Sequence, residues 1–151
     1  MFIQKSARGA AEKVMVQFYF LSIVTNLLSG LILSGEYLEG KQPGLSSVRE
    51  FFSSKPGVRI AIGTVTFITG FLKLLTVTGG DVPVVGDLLP ALSGLILGAG
   101  VLFERYRESS TVTSPLIETG EKVLLKRKNF YGIVGLVVAL VHFLLPRVLF
   151  L

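Results

Sequence analysis

The chain alternates between long apolar runs and shorter polar segments. Four apolar runs cover about residues 14–35, 58–78, 82–103 and 129–147, and polar segments at 36–57 and 104–128 follow the first and the third of them. Each run has roughly 17–25 residues, the length that an α-helix needs to cross the ~30 Å hydrocarbon core of a bilayer. The pattern predicts an all-α integral membrane protein, a four-helix bundle of four spans that forms a single domain over residues 1–151.

The beginning of the third span is open between two positions. A short turn at residues 79–80 joins the second and third apolar runs. The third span begins either at Val82, with Asp81 as its N-cap, or at Leu88, with Asp87 as its N-cap. The second alternative leaves a short connecting segment before the span.

The composition agrees with a membrane location and excludes several kinds of catalytic and metal-binding site. The chain has 151 residues, of which 50% are hydrophobic and 17% charged, and its mean hydropathy is +0.68. These values are more apolar than those of ordinary soluble domains. The absence of cysteine excludes thiol nucleophiles, disulfides and cysteine metal sites. The single histidine, His142, cannot form a histidine cluster within one chain, and we expect neither a metal nor a cofactor.

A hexapeptide in the first apolar run recurs in the third. The sequence LSGLIL occupies residues 28–33 and again residues 92–97, and the second and fourth runs align when Gly63 is matched with Gly135. We interpret the chain as two tandem copies of a two-span unit. Because each unit crosses the membrane twice, both copies enter it the same way, as parallel repeats related by an axis along the membrane normal do.

Small residues four positions apart occur at matching places in the two copies. Gly30 and Ser34 form the first pair, and Gly94 and Gly98 form the second. Such pairs allow the backbones of two helices to approach closely in a membrane. We expect these four residues to be helix-packing positions, either within the chain or between subunits of a homo- or hetero-oligomer.

Basic residues indicate the orientation in the membrane. Four basic residues are predicted on the side of the membrane opposite the two longer loops: Lys5, Arg8, Lys13 and Arg147. The loop side receives ten basic residues: Lys41, Arg49, Lys55, Arg59, Arg105, Arg107, Lys122, Lys126, Arg127 and Lys128. The positive-inside rule therefore predicts cytoplasmic loops 36–57 and 104–128 and external termini, as in a bacterial inner membrane. Basic residues beside apolar runs favour anionic lipid headgroups over nucleic acid as a partner.

Polar side chains inside the apolar runs form a candidate site. Threonines and a lysine of the second run are spaced by 3, 4 and 3 residues and so share one helical face. Ionisable groups within hydrocarbon are costly and often mark a pathway or a partner. The candidate intramembrane polar site comprises Thr66, Thr69, Lys73, Thr76, Asp87 and His142.

Three interpretations of Lys73 and Asp87 are open. The two residues lie at similar distances on either side of the 79–80 turn, so antiparallel helices can bring them to equal depth. They form a structural ion pair, they line a polar path together with the threonines, or they act separately as a snorkelling lysine and an N-cap.

The sequence favours a structural role over catalysis. It contains no G-x-S-x-G or H-E-x-x-H pattern and no visible nucleophile–base arrangement, so we expect no enzymatic activity. The preferred function is a structural or accessory subunit of a membrane assembly. The alternative is a small transporter or channel. It would be oligomeric, because four helices alone rarely enclose a pore.

Overall fold

The described part of the chain is almost entirely helical. The computed structural model describes the backbone of residues 2–75 and 88–145 and the side chains from residue 16 onward. No strand occurs within these ranges. The helices are α1 (Phe2–Lys41), α2 (Ser46–Ser54), α3 (Pro56–Leu75), α4 (Leu88–Ser109), α5 (Pro115–Gly120) and α6 (Lys128–Leu144), with a 3₁₀ turn at Pro43–Leu45 and a π-helical turn at Glu121–Leu125. The predicted all-α class is confirmed.

Three helices are long and apolar enough to cross a membrane. They are Val16–Lys41, Pro56–Leu75 and Leu88–Ser109. The fourth apolar helix, α6, has 17 residues and a length of roughly 26 Å, which is shorter than the ~30 Å hydrocarbon core. The fourth span, the four-helix bundle and the two-copy repeat therefore stay predictions. Of the two candidate starts of the third span, Val82 lies outside the described residues and Leu88 is the first described residue of α4, so the choice between them stays open. The end of the fourth apolar run also lies outside the described residues.

Helix ends differ from the ends of the apolar runs. Helix α1 extends beyond the predicted 14–35 run on both sides, because the polar residues that follow it are compatible with a helix. It ends just before Pro43, where Gln42 is extended, as the residue before a proline usually is. The segments at 36–57 and 104–128 also contain the end of α1, the end of α4, and the short helices α2 and α5. They are therefore largely helical rather than irregular loops.

Close contacts between small residues join the long helices in two pairs, α1 with α6 and α3 with α4. A Cβ atom added to Gly30 of α1 would lie 2.9 Å from the carbonyl oxygen of Gly132 in α6. A Cβ atom added to Gly98 of α4 would lie 2.6 Å from the backbone nitrogen of Phe67 in α3. In both pairs the two backbones are so close that a methyl group does not fit between them.

The two close pairs each join helices from different predicted units. Helices α1 and α3 belong to the first unit, and α4 and α6 belong to the second. Additional contacts link α1 to α3 and α4, and α4 to α6. The two predicted units therefore contact each other through all four long helices. They do not pack side by side as separate hairpins.

Polar side chains lie inside and apolar side chains lie outside. From residue 16 onward, the described residues bury ten polar or charged side chains and only seven hydrophobic ones. Large hydrophobic residues of all four long helices are exposed instead, for example Val24, Ile68, Ile96 and Leu140. This distribution is the reverse of that in a water-soluble bundle, and it suits helices surrounded by hydrocarbon.

Gly98→Ala is expected to destabilise the protein. Alanine is intrinsically about 1 kcal/mol better than glycine inside a helix, but its Cβ would meet the backbone of Phe67. Overpacking of this kind costs about 1–3 kcal/mol, so the midpoint of thermal unfolding in detergent should fall. Gly40→Ala is the matched control, because Gly40 lies in α1 with no atom within 4 Å of an added Cβ. An equal response of the two variants would contradict the contact.

Candidate functional site

Hydroxyl groups of α1 and α3 meet at the centre of the interior. Thr66 is 1% exposed and Ser29 is fully buried. The Thr66 hydroxyl donates to the carbonyl oxygen of Ile62, 2.7 Å away, which is one turn earlier in α3. Because that hydroxyl has only one proton, the 2.7 Å contact between the two hydroxyl oxygens is donated by Ser29. A side-chain hydrogen bond therefore joins the first two long helices.

Asn26 connects α1 to the start of α4. Its amide nitrogen donates to the carbonyl oxygen of Pro90 at 3.1 Å, and its side chain is 1% exposed. Its amide oxygen, and the hydroxyl of Ser93, have no hydrogen-bond partner among the described residues. A buried polar atom left unsatisfied costs about 1–3 kcal/mol. The centre of the interior is thus polar and has hydrogen-bonding capacity that the described chain does not use.

Lys73 and His142 meet near the last described residues of α3 and α6, Leu75 and Leu144. The lysine Nζ of α3 lies 3.2 Å from Nε2 of His142 in α6, and the two residues are 5% and 1% exposed. Tyr19 of α1 donates to the carbonyl oxygen of His142 at 2.5 Å, and the Lys73 Nζ lies 6.0 Å from the centre of the Tyr19 ring. When Lys73 is charged it can only donate, so Nε2 of His142 is then the acceptor. Three helices converge on this cluster.

The predicted site residues fall into two groups. Thr66, Thr69 and Lys73 are all buried on the inner face of α3, and Lys73 contacts His142. Thr76 and Asp87 lie outside the described residues, so pairing of Lys73 with Asp87 stays a prediction. Tyr19 was not predicted, because a tyrosine within an apolar run carries no local signal of a partner 123 positions away.

The predicted packing residues lie where the long helices touch. Gly30 and Ser34 face α6, where the backbone nitrogen of Ser34 lies 2.7 Å from the position of a Cβ added to Gly132. Gly94 and Gly98 face α3, where Gly70 and Gly63 provide the opposing small surface. All these contacts are within the chain. They do not describe an interface between subunits.

A chain of ion pairs connects all four long helices at the loop end. We name it the loop-end clamp and define it as Glu36, Arg59, Glu104, Glu108 and Lys128. Arg59 of α3 donates to Glu104 at 2.7 Å and to both carboxylate oxygens of Glu108 at 2.7 and 2.8 Å, all three bonds reaching α4. Lys128 at the start of α6 donates to Glu104 at 2.9 Å and lies 3.2 Å from the carboxylate of Glu36 in α1.

The clamp is strongest at its centre. The side chains of Arg59 and Glu104 are only 8% and 14% exposed, so their attraction is weakly screened, and removing one partner of a buried pair costs roughly 3–5 kcal/mol. Burial would lower the pKa of Lys128, but its hydrogen bonds and charge attraction to Glu104 and Glu36 outweigh that effect and raise the pKa above its ordinary value. Lys128 therefore keeps its charge.

The clamp borders a cleft of about 130 Å³. Three carboxylates and three basic groups line it, so its charges balance. Part of its wall is apolar and is formed by Leu31, Ile32 and Phe52. The sequence supplied these basic residues only as evidence for orientation. The ion pairs could have been predicted from the sequence, because Glu36, Glu104 and Arg59 all lie at the loop ends of apolar runs.

The described side chains include no group of three or more acidic or histidine residues able to hold a metal ion. The cleft carries too many basic groups beside its carboxylates to favour a cation. The chemistry that the described interior offers is hydrogen bonding and the binding or transfer of protons at lysine and histidine.

Comparison with known proteins relates the chain to a family. One protein-family model matches residues 15–142, which include the greater part of each apolar run, and the chain therefore belongs to that family. A protein of Treponema pallidum strain Nichols, described as an uncharacterized protein, is 28% identical over 137 residues, which is 91% of this chain and 100% of the relative. No solved structure matches the chain.

Thr66→Val is expected to destabilise the protein by about 1 kcal/mol, the usual scale of a side-chain hydrogen bond between membrane helices. The change keeps the shape of the side chain but leaves the Ser29 hydroxyl without its acceptor. Thr64→Val is the control, because Thr64 lies on the exposed face of the same helix. Unfolding measured by titration with a denaturing detergent checks both variants, and equal loss in the two would argue against the bond.

Proposed function

We propose that this member of the family matched over residues 15–142 is a small integral membrane protein that serves as a structural or accessory subunit of a membrane assembly. The observation that carries the proposal is the combination of an apolar outer surface with a tightly fixed interior. Backbone contacts at Gly30 and Gly98, together with hydrogen bonds such as Ser29 to Thr66, define one relative position of the long helices. A rigid set of helices with lipid-compatible outer faces suits a scaffold, and it requires no catalytic step.

Small residues on the outer face of α3 support the proposal that a helix of another subunit packs there. Gly57, Ala61 and Thr64 are all exposed, and they follow one another at intervals of four and three residues along that face. A Cβ added to Gly57 would meet no atom within 4 Å. Small residues at this spacing allow a second helix to approach closely. Because the inner face of α3 is already occupied by α4, this outer row is available to another subunit.

Ala61→Phe is expected to remove the partner without unfolding the chain. A bulky side chain on the outer row would hold a docking helix away, whereas Leu92→Phe on the exposed face of α4 adds a ring elsewhere and is the control. Each protein is purified gently from its native membrane, and the proteins that accompany it are identified. Stable heterologous partners that are lost only in Ala61→Phe would support the accessory role. A homogeneous oligomer of this chain alone would contradict it.

A second candidate function is transport, and the contact between Lys73 and His142 favours it. Two ionisable groups 3.2 Å apart on the inner faces of two apolar helices offer a place to bind or pass a proton. Thr66 and Thr69 continue the polar face toward the centre. Thr76 and Asp87 complete the proposed path in sequence but lie outside the described residues. An oligomer would be needed to enclose a pore.

Lys73→Met distinguishes the two candidates. If Lys73 is structural, losing its contact with His142 should lower the yield of folded, assembled protein. If it belongs to a transport path, the protein should assemble normally while proton or ion flux into proteoliposomes changes by about tenfold or more. Reconstituted flux and size-exclusion profiles, measured on the same preparations, separate the outcomes. Leu74→Met, which changes an adjacent apolar position, is the control.

We further propose that the loop end faces the cytoplasm of a bacterium, with both termini outside. Among the described residues, five of the ten loop-side basic residues form ion pairs with acidic side chains. The other five are exposed and can meet anionic lipid headgroups. These five are Lys41, Lys55, Lys122, Lys126 and Arg127.

A pair of single cysteines tests the orientation. In intact cells a membrane-impermeant maleimide should modify Gly79→Cys, between the second and third apolar runs of the sequence, but not Thr113→Cys, in the exposed segment before α5. The native chain has no cysteine, so the background is clean. After permeabilisation Thr113→Cys should react as well. Modification of Thr113→Cys but not Gly79→Cys in intact cells would reverse the proposed topology.

A further inference from the structure

The loop-end clamp joins the same helix pairs as the close glycine contacts. Glu36 with Lys128 links α1 to α6, and Arg59 with Glu104 links α3 to α4. In each pair an acidic residue near the loop end of one predicted unit meets a basic residue at the beginning of the second helix of the other unit. Glu104 also accepts from Lys128, which joins the two pairs into one chain. Opening the loop end therefore requires these few ion pairs to break together.

Only a thin apolar layer lies beneath the clamp. Leu33 and Val101 stand three residues before Glu36 and Glu104 on the same helices, which is roughly 4.5 Å toward the centre. Leu97 completes the layer and packs against Gly135 of α6. These three residues are the buried hydrophobic cluster of the described chain, and Ile32 and Tyr131 pack against it.

The interior beyond this layer is polar. Ser29 lies one turn below Leu33, and Ser93 lies one turn below Leu97. The Ser93 hydroxyl and the amide oxygen of Asn26 have no partner among the described residues, and both are buried. Water molecules that passed the apolar layer would hydrogen-bond to these atoms. Those bonds would offset the free-energy cost of hydrating the interior.

The clamp residues are also placed so that they can be hydrated when they separate. The side chains of Glu36 and Glu108 are 62% and 44% exposed, and the cleft reaches Arg59 and Lys128. Charges that separate next to water lose far less than charges that separate in hydrocarbon. A clamp at this position can therefore open and close, whereas one at the level of Ser29 could not.

We propose that the loop end is a gate, closed by the loop-end clamp and by the layer of Leu33, Leu97 and Val101, which opens to admit water to the polar interior while the helices stay packed at the level of Ser22 and Lys73. The gate does not depend on the proposed role as a subunit. It predicts that breaking the clamp exposes the apolar layer selectively.

Cysteine accessibility tests the gate. Val101→Cys places a thiol in the apolar layer, and its rate of modification by a water-soluble maleimide is measured on the full chain in lipid nanodiscs. Glu104→Gln removes the acceptor shared by Arg59 and Lys128 and should raise that rate about tenfold or more. Glu50→Gln is the control, because Glu50 is exposed on α2 and forms no ion pair within the described residues. It should leave the rate unchanged.

A second reporter separates gate opening from general unfolding. Ser22→Cys lies on α1, about four turns below Glu36 toward the opposite end, and Ser22 is 2% exposed. Its modification rate should not change in Glu104→Gln. A rise at both cysteines would mean that the clamp holds the whole fold, and a rise at neither would mean that it holds nothing. Either result overturns the gate.

Lys128→Gln provides an independent variant should Glu104→Gln yield too little folded protein. It breaks the ion pair with Glu36 of α1 and the hydrogen bond to Glu104 of α4, at a position where the lysine side chain is 27% exposed. It should raise the rate at Val101→Cys by a smaller factor than Glu104→Gln and leave Ser22→Cys unaffected. No change at Val101→Cys in Lys128→Gln would contradict a gate that both ion pairs close.

Discussion

The structure depends on one constraint, which is that hydrocarbon supplies no hydrogen-bond partners. In the proposed membrane setting every polar side chain must therefore bond within the protein or reach the headgroups. The buried hydroxyls of Ser29 and Thr66 satisfy this requirement with each other and with a backbone carbonyl, and the amide nitrogen of Asn26 does so with the carbonyl of Pro90. The amide oxygen of Asn26 has no such partner among the described residues. The apolar side chains of the outer faces need no hydrogen-bond partner. Burial of hydrophobic side chains, the usual driving force in water, contributes little here.

The same constraint explains why small residues determine how the helices pair. Without a hydrophobic force between helices, association relies on van der Waals contact and on hydrogen bonds, and both require close backbones. Gly30 with Gly132, and Gly98 with Gly63, provide that closeness at the two main contacts. Once the backbones are so near, there is no room for bulky apolar residues between them. Short polar side chains fill the interior instead.

The features that follow from local pattern could be predicted from the sequence. Hydrophobic periodicity and run length predicted the all-α class and the three helices now seen to be long enough for a membrane. Helical spacing predicted that Thr66, Thr69 and Lys73 share a face, and all three are buried. The ends of the helices were predicted less well, because hydrophobicity changes at the membrane surface whereas a helix continues until a residue such as Pro43 prevents it.

The features that depend on tertiary contact could not be predicted in the same way. Tyr19 meets His142 across 123 positions, and nothing near either residue indicates the contact. The loop-end clamp was missed for a different reason. Its basic residues were counted as charges on one side of a membrane, and a count of charges ignores partners. Arg59 is buried because two glutamates of another helix face it, and only the packing of α3 against α4 brings them together.

The two ends of the interior are consequently unlike. At one end the buried side chains of Lys73 and His142 place two basic groups next to each other. At the other end, three carboxylates and three basic groups, Arg49 among them, line the open cleft and balance in charge. The difference matters for the proposed gate, because water would enter at the end where separated charges border the cleft, pass the layer of Leu33, Leu97 and Val101, and then meet the polar side chains beyond it.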